Sequence, residues 1–136
     1  MELNYECFRK VLLVLEKELH ITADSYLEFE YPLLSLREII DNEELKAFLP
    51  ADVFYTIVNL EEAGYITAET QFASGVLNEC LVTNITYAGH MFLKSVKDNT
   101  VWKATMGKVA KVGSVAIPVL LEIAKEVMIK MLIPSP

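Results

Sequence analysis

The side chains best equipped for chemistry in this sequence are few and scattered. Cys7, His20, Cys80 and His90 form a donor set of the type zinc prefers, thiolate sulfur and imidazole nitrogen. Zinc sites usually draw on closely spaced pairs such as C-x-x-C or H-x-x-x-H, because one turn or one helix face then presets half the coordination sphere. None of the four has such a neighbour, so no metal site is expected. His90 follows Gly89, and a histidine can act as a general base only with a partner within hydrogen-bond reach. No Ser/His/Asp or Cys/His arrangement can be assigned, so the expected role of His90 is structural, bonding to backbone near a hairpin. The carboxylate pairs Glu43-Glu44 and Glu61-Glu62 are adjacent in sequence, diverge on a helix and read as solvated surface. The five glycines are dispersed and make no phosphate-cradling loop. Trp102 could stack on a ligand, but a large indole opening an amphipathic helix is expected to anchor the core and fasten the following segment. The expectation is a non-enzymatic chain with no catalytic residue, no cofactor and no metal.

The elements that would carry these residues follow from periodicity. Asn4 suits a helix N-cap, and Phe8, Val11, Leu12, Leu15 and Leu19 recur at three- and four-residue steps, forming one apolar face. Residues 21–25 read as a polar connection. Leu27-Glu28-Phe29-Glu30-Tyr31 alternates apolar and acidic residues with the period of a half-buried strand, and Pro32 ends it. Ser35-Leu36-Arg37-Glu38 matches a capping box opening a short helix through Ile40. Residues 41–49 read either as a helical turn or as an acidic loop. Pro50 suits the first position of a third helix, whose inward row is Val53, Ile57 and Leu60 and which ends near Ala63, before Gly64. Tyr65 to Ala68 begins a strand, Cys80 to Ile85 is its antiparallel return, and Phe72 to Asn78 forms a flexible tip around Ser74-Gly75. Thr86 caps a fourth helix from about Tyr87 to Lys97. A break is expected at Asn99-Thr100, then a helix from Val101 to Lys111, a second break at Gly113-Ser114 and a last helix in which Pro118 is tolerated.

Helix, strand, helix, helix, strand, hairpin loop, strand is the order of a winged helix. The expected fold is therefore α+β: a winged helix-turn-helix with a small sheet and wing hairpin over residues 1–98, and a C-terminal helical extension over residues 99–136. The last helix is apolar around most of its circumference, with Glu122, Lys125, Glu126 and Lys130 in a narrow polar stripe. Leu120, Leu121, Val127, Met128, Met131 and Leu132 are its candidate interface, toward its own domain or toward a partner subunit. It is too charged and too short to span a bilayer, which takes about 20 mostly apolar residues.

With 136 residues, 53% hydrophobic and 23% charged, the composition is that of a globular chain. The start lacks a basic n-region and is not expected to be a signal peptide. Two unclustered cysteines without one point to reduced thiols and a cytoplasmic location. The net charge of −7 is uneven: residues 1–93 carry 5 Lys/Arg against 16 Asp/Glu, while residues 94–136 carry 7 against 3. The acidic body repels phosphate and favours basic or apolar partners.

That charge bears directly on nucleic-acid binding. With Val53, Ile57 and Leu60 inward, the third helix would present Asp52, Tyr55, Thr56, Asn59 and Glu62 as its contact face. Thr56 and Asn59 are of a type that reads base edges. Phosphate contacts supply most affinity, however, and neither that face nor the wing from Phe72 to Glu79 offers a Lys or Arg. Lys103, Lys108 and Lys111 are the alternative cationic face, and exposed lysines of this kind are usually solvated surface.

Three stretches resemble a family of small bacterial and phage-encoded proteins of unknown function. Asn59-Leu60-Glu61-Glu62-Ala63-Gly64-Tyr65-Ile66 is similar to the helix-end-to-strand signature of many winged-helix proteins. Ile85-Thr86-Tyr87-Ala88-Gly89-His90-Met91-Phe92-Leu93 resembles the family's Leu-Thr-x-x-Gly-His-x-Phe-Leu pattern, with Ile85 in place of Leu. Lys97-Asp98-Asn99-Thr100-Val101-Trp102 is similar to the family's Asp-Asp/Asn-Thr-Val-Trp step, the most specific of the three. The resemblance covers roughly residues 4 to 125 and implies a winged-helix-type fold associated with prophage or mobile elements. It implies no catalytic residue. Where the family's third helix often carries a His and basic residues, this chain has Tyr55 and Thr56, which argues against DNA. The expectation is a protein-interaction or regulatory module acting on a protein partner or a second copy, with a DNA-binding transcriptional regulator as the alternative.

Overall fold

A computed structural model describes residues 2–132, in two compact units: one up to His90, the other from Met91 onward. The division falls earlier than the expected boundary at residues 98 and 99.

The first unit opens with helix α1, Tyr5–Glu18, capped by the Asn4 side chain, which accepts from the Cys7 N–H at 3.0 Å. Phe8, Val11, Leu12 and Leu15 are buried as their spacing predicts. The covered arc is wider than the apolar row, because Cys7, Val14 and Arg9 are buried too. The Arg9 guanidinium lies 3.8 Å from the Glu6 carboxylate, one helical turn away, so this covered charge has a counter-ion. Leu19 is the C-cap, its N–H donating to the Leu15 carbonyl.

Residues 21–31 differ from expectation. Thr22–Ser25 is not a connection but strand β1, and it pairs antiparallel with β2, Glu28–Glu30, in a sheet of only these two strands. Both strands are exposed throughout rather than half-buried, and Leu27 takes a left-handed φ of 71° to make the turn. The alternating pattern did form a strand, but its apolar side meets no core. The strand that joins the main sheet is β3, Leu34–Ser35, paired with Val82 and Leu81. Ser35 then caps helix α2, Leu36–Ile40: its Oγ accepts from the Glu38 N–H at 3.2 Å and donates to the Glu38 carboxylate at 3.1 Å. The stretch expected as a turn or a loop contains one 3-10 turn, Glu43–Leu45, fixed by the fully buried Leu45.

Helix α3, Pro50–Glu62, starts on its proline and buries Val53, Ile57 and Leu60 against α1, α2 and the sheet. Gly64 turns the chain at φ 80°, a conformation nearly free for glycine and costly for other residues. Strands β4, Ile66–Ala73, and β5, Val76–Ile85, pair along their length, giving the three-stranded antiparallel order β3-β5-β4. The tip is tighter than expected. The strands run out to a two-residue turn in which Ser74 (φ 54°) and Gly75 (φ 80°) are both left-handed, the geometry that matches strand twist. Thr86 starts helix α4, Tyr87–Val96, by accepting from the Gly89 N–H at 3.1 Å while donating to the Gly64 carbonyl.

In the second unit Asp98 caps helix α5, Asn99–Val112, accepting from the N–H groups of Thr100 and Val101 at 2.8 and 2.9 Å. The expected break at Asn99-Thr100 is thus the helix's first turn, and the interruption falls at Lys97-Asp98 instead. Gly113, at φ 97°, ends α5, and α6, Ile117–Leu132, packs back on it with Pro118 in its first turn. Trp102 is buried, as are Ile117, Leu120, Ala124 and Val127. Among the described residues no helix is long and apolar enough to cross a membrane.

Candidate functional site

The third helix does not offer the face its sequence predicts. Thr56 is 2% exposed, because α3 is covered on more than one side and Thr56 lies between Val53 and Leu60 at helical spacing. Asn59 is half-buried and turns its Nδ2 onto the Tyr55 carbonyl at 2.8 Å. The two side chains best suited to base edges are therefore engaged within the fold. Of the predicted face, Glu62 is exposed and Asp52 and Tyr55 are half-exposed. No Lys or Arg occurs between Lys46 and Lys94, an interval that contains all of α3, β4 and β5 and carries Asp52, Glu61, Glu62, Glu69 and Glu79. The β4–β5 hairpin ends in two exposed apolar side chains, Phe72 and Val76.

The four candidate metal donors are distributed over three places. Cys7 is buried on α1, its Sγ 3.9 Å from the Asp52 carbonyl. Cys80 is buried on β5, where the Thr70 hydroxyl donates to it at 3.8 Å. Burial pushes both thiols above their usual range. The hydrogen bonds from Thr56 and Thr70 pull part of the way back, and the charges of Asp52 and Glu61 add to the upward shift. A thiol held protonated is a poor ligand and a poor nucleophile. The two histidines, by contrast, meet at one place: His20, just past α1, and His90, in the first turn of α4, line a cleft of about 360 Å³ together with Glu16, Tyr31 and Asn84. The His90 ring is exposed and makes no hydrogen bond among the described residues, so the expected backbone bond is absent; only its N–H is engaged, with the Thr86 carbonyl at 2.9 Å. No group of three His, Cys, Asp or Glu side chains placed to hold a metal occurs among the described residues.

The sequence reading passed over the β1–β2 hairpin as a surface. Ile21, Tyr26, Leu27, Phe29, Tyr31 and Leu33 are all exposed along it. One signal was available: six large apolar residues lie within thirteen positions, interrupted only by acids among charged residues. In the tail, Leu120 and Val127 are buried in their own chain, Leu121 and Met128 are half-buried, and Met131 and Leu132 are exposed. Met128, Met131 and Leu132 face Val101 across a groove of about 460 Å³. Lys103, Lys108 and Lys111 are exposed on α5.

Fold and surface together define a mixed α+β chain of helices and two small antiparallel sheets, its first unit acidic and apolar at its projections. The family model described as hypothetical protein (DUF2513) matches residues 2–116, and the chain belongs to that family. No curated protein and no solved structure matches it.

Proposed function

We propose that the first unit is a winged-helix-type module used for protein contacts, and that it is neither an enzyme nor a DNA-reading domain. The order α1, β3, α2, α3, β4, β5 supports the winged-helix reading, with the β1–β2 hairpin as an insertion after α1. The observation that carries the functional reading is the absence of any cation from Lys46 to Lys94, across the helix and wing that would meet a duplex. Each phosphate neutralised by Lys or Arg releases counterions, and this accounts for essentially all non-specific DNA affinity. Here that contribution is missing and carboxylates stand in its place. The apolar wing tip at Phe72 and Val76 and the apolar β1–β2 hairpin suit a protein surface instead.

Fluorescence anisotropy of a labelled DNA duplex, titrated with the full chain at low salt, tests the reading. No binding is expected even where electrostatics are least screened. A salt-dependent complex that persists at physiological ionic strength would overturn it in favour of a transcriptional regulator.

A further inference from the structure

We infer that the β1–β2 hairpin and the cleft beside it form the seat for an extended, basic and apolar segment of a partner polypeptide. This rests on the reading of the chain as an interaction module and supplies its surface. The hairpin is a sheet of its own, and among the described residues β1 and β2 pair only with each other. A two-stranded hairpin is marginal in water unless something covers its apolar side. Among the described residues nothing does so: Phe29 is 62% and Tyr31 75% exposed. The register pairs Ala23 with Phe29, and Thr22 with Glu30, so strand alternation puts Phe29 on one face and Glu30 on the other. The outer strand edges have free backbone donors and acceptors, which an extended segment can pair with by adding a strand.

Charge selects the occupant. Asp24, Glu28 and Glu30 lie on the hairpin, and no Lys or Arg occurs between Lys17 and Arg37. A second copy would bring the same three carboxylates against themselves, and a nucleic acid would bring phosphate; both are repelled. A segment alternating apolar and basic residues satisfies both faces. The cleft adds a pocket for one of those cations. Its wall continues from Ile21 and Tyr31 of the hairpin to Glu16, His20, Asn84 and His90, with no Lys or Arg. It adjoins the C-terminal end of α1, whose dipole favours positive charge.

The test uses the full chain and three labelled peptides of equal length, alternating Lys with Ile, Glu with Ile, and Lys with Ser, read by anisotropy. The Lys/Ile peptide is expected to bind at least tenfold more tightly than either control. Phe29→Ser and Tyr31→Ser each lower that affinity tenfold or more, while Glu16→Gln lowers it several-fold and flattens its salt dependence. Phe72→Ser at the wing leaves it unchanged. Because Phe29 and Tyr31 are exposed, their variants keep the wild-type melting curve, which is checked by circular dichroism. Equal binding of the Glu/Ile peptide, no binding of the Lys/Ile peptide, or a loss at Phe72 rather than Phe29 overturns the inference. So does a wild-type dimer in sedimentation velocity that Phe29→Ser converts to monomer, since that assigns the face to a second copy. Duplex binding in the parallel DNA titration would instead remove the underlying interaction-module reading, which survives a failed peptide test when DNA also fails to bind.

Discussion

Gly89 sits in the first turn of α4 against the carbonyl that closes α3 onto β4. A Cβ built at this position would lie 2.0 Å from the Tyr65 oxygen, 2.8 Å from Ile85 Cγ2 and 2.9 Å from the Tyr65 carbonyl carbon. Two opposing effects decide what Gly89→Ala does. Replacing a helical glycine by alanine stabilises the helix by about 1 kcal/mol. Against this, the obstacle is backbone and has no rotamer to yield, so overpacking costs about 1–3 kcal/mol. Moving the Tyr65 carbonyl also disturbs its hydrogen bond from the Thr86 N–H, 3.0 Å long, and the neighbouring bond from the Thr86 hydroxyl to Gly64. Each bond contributes about 0.5–1.5 kcal/mol net. The sum is a loss of about 1–5 kcal/mol after the helical gain is subtracted. Gly107 supplies the control, being an exposed glycine within α5 whose added Cβ meets nothing within 4 Å. Gly107→Ala therefore keeps only the helical gain, about 0.5–1 kcal/mol of stabilisation. Urea midpoints of the two variants should move in opposite directions at unchanged slope. If Gly89→Ala is stabilised to the same degree as Gly107→Ala, the close packing of α4 on Tyr65 is wrong.

Asp98→Ala removes the acceptor for two N–H groups at the start of α5 and should lower stability by about 1 kcal/mol, whereas Asp98→Asn retains most of the cap; thermal melts distinguish them. Leu45→Ala, in the middle of an acidic surface stretch, should cost about 2–5 kcal/mol in urea because that side chain is fully buried. The thiols of Cys7 and Cys80 hold their protons to higher pH when folded than when unfolded. Their contribution is complete below the ordinary thiol range and is lost as pH rises from about 8.5 toward the folded values, where the unfolded chain deprotonates first. The urea midpoint should therefore fall on the alkaline side, and a Cys7→Ala/Cys80→Ala variant should show a shallower fall.

Much of the first unit could be read directly because local and tertiary demands agree there. Asn4, Ser35, Pro50 and Gly64 each do at a helix or strand end what their backbone chemistry favours, and Val53, Ile57 and Leu60 take the inward row their period assigns. Readings failed where residue type and position conflict. Thr56 is polar yet stands in the helical row of the core, three residues after Val53 and four before Leu60, and is buried with them. Arg9 is a charge within a covered arc, held next to Glu6. Strand β1 has no apolar alternation to announce it, since Thr22-Ala23-Asp24-Ser25 needs no buried face when both of its sides are wet. Strand β3 is two residues long and is defined only by its partner β5. The clustering of His20 and His90 in one cleft depends on how the end of α1 meets the end of β5, which no spacing along the chain records.

The carboxylates of the hairpin also answer how such a surface stays free of itself. An exposed, apolar, two-edged strand pair is a template for aggregation, and natural sheets blunt such edges with charge. Asp24, Glu28 and Glu30 supply that charge on strands whose apolar side is uncovered. The same sign runs through α3 and the β4–β5 hairpin, so on the proposed reading one electrostatic choice would have two consequences: copies of the chain and polyanions would both be held off, while a cationic segment would be drawn in. A uniformly polar hairpin would also have stayed soluble, but it would have offered a partner no apolar area to bury. On the proposed reading, acidic flanks on an apolar face are the combination in which freedom from self-association and selective contact would come from the same residues.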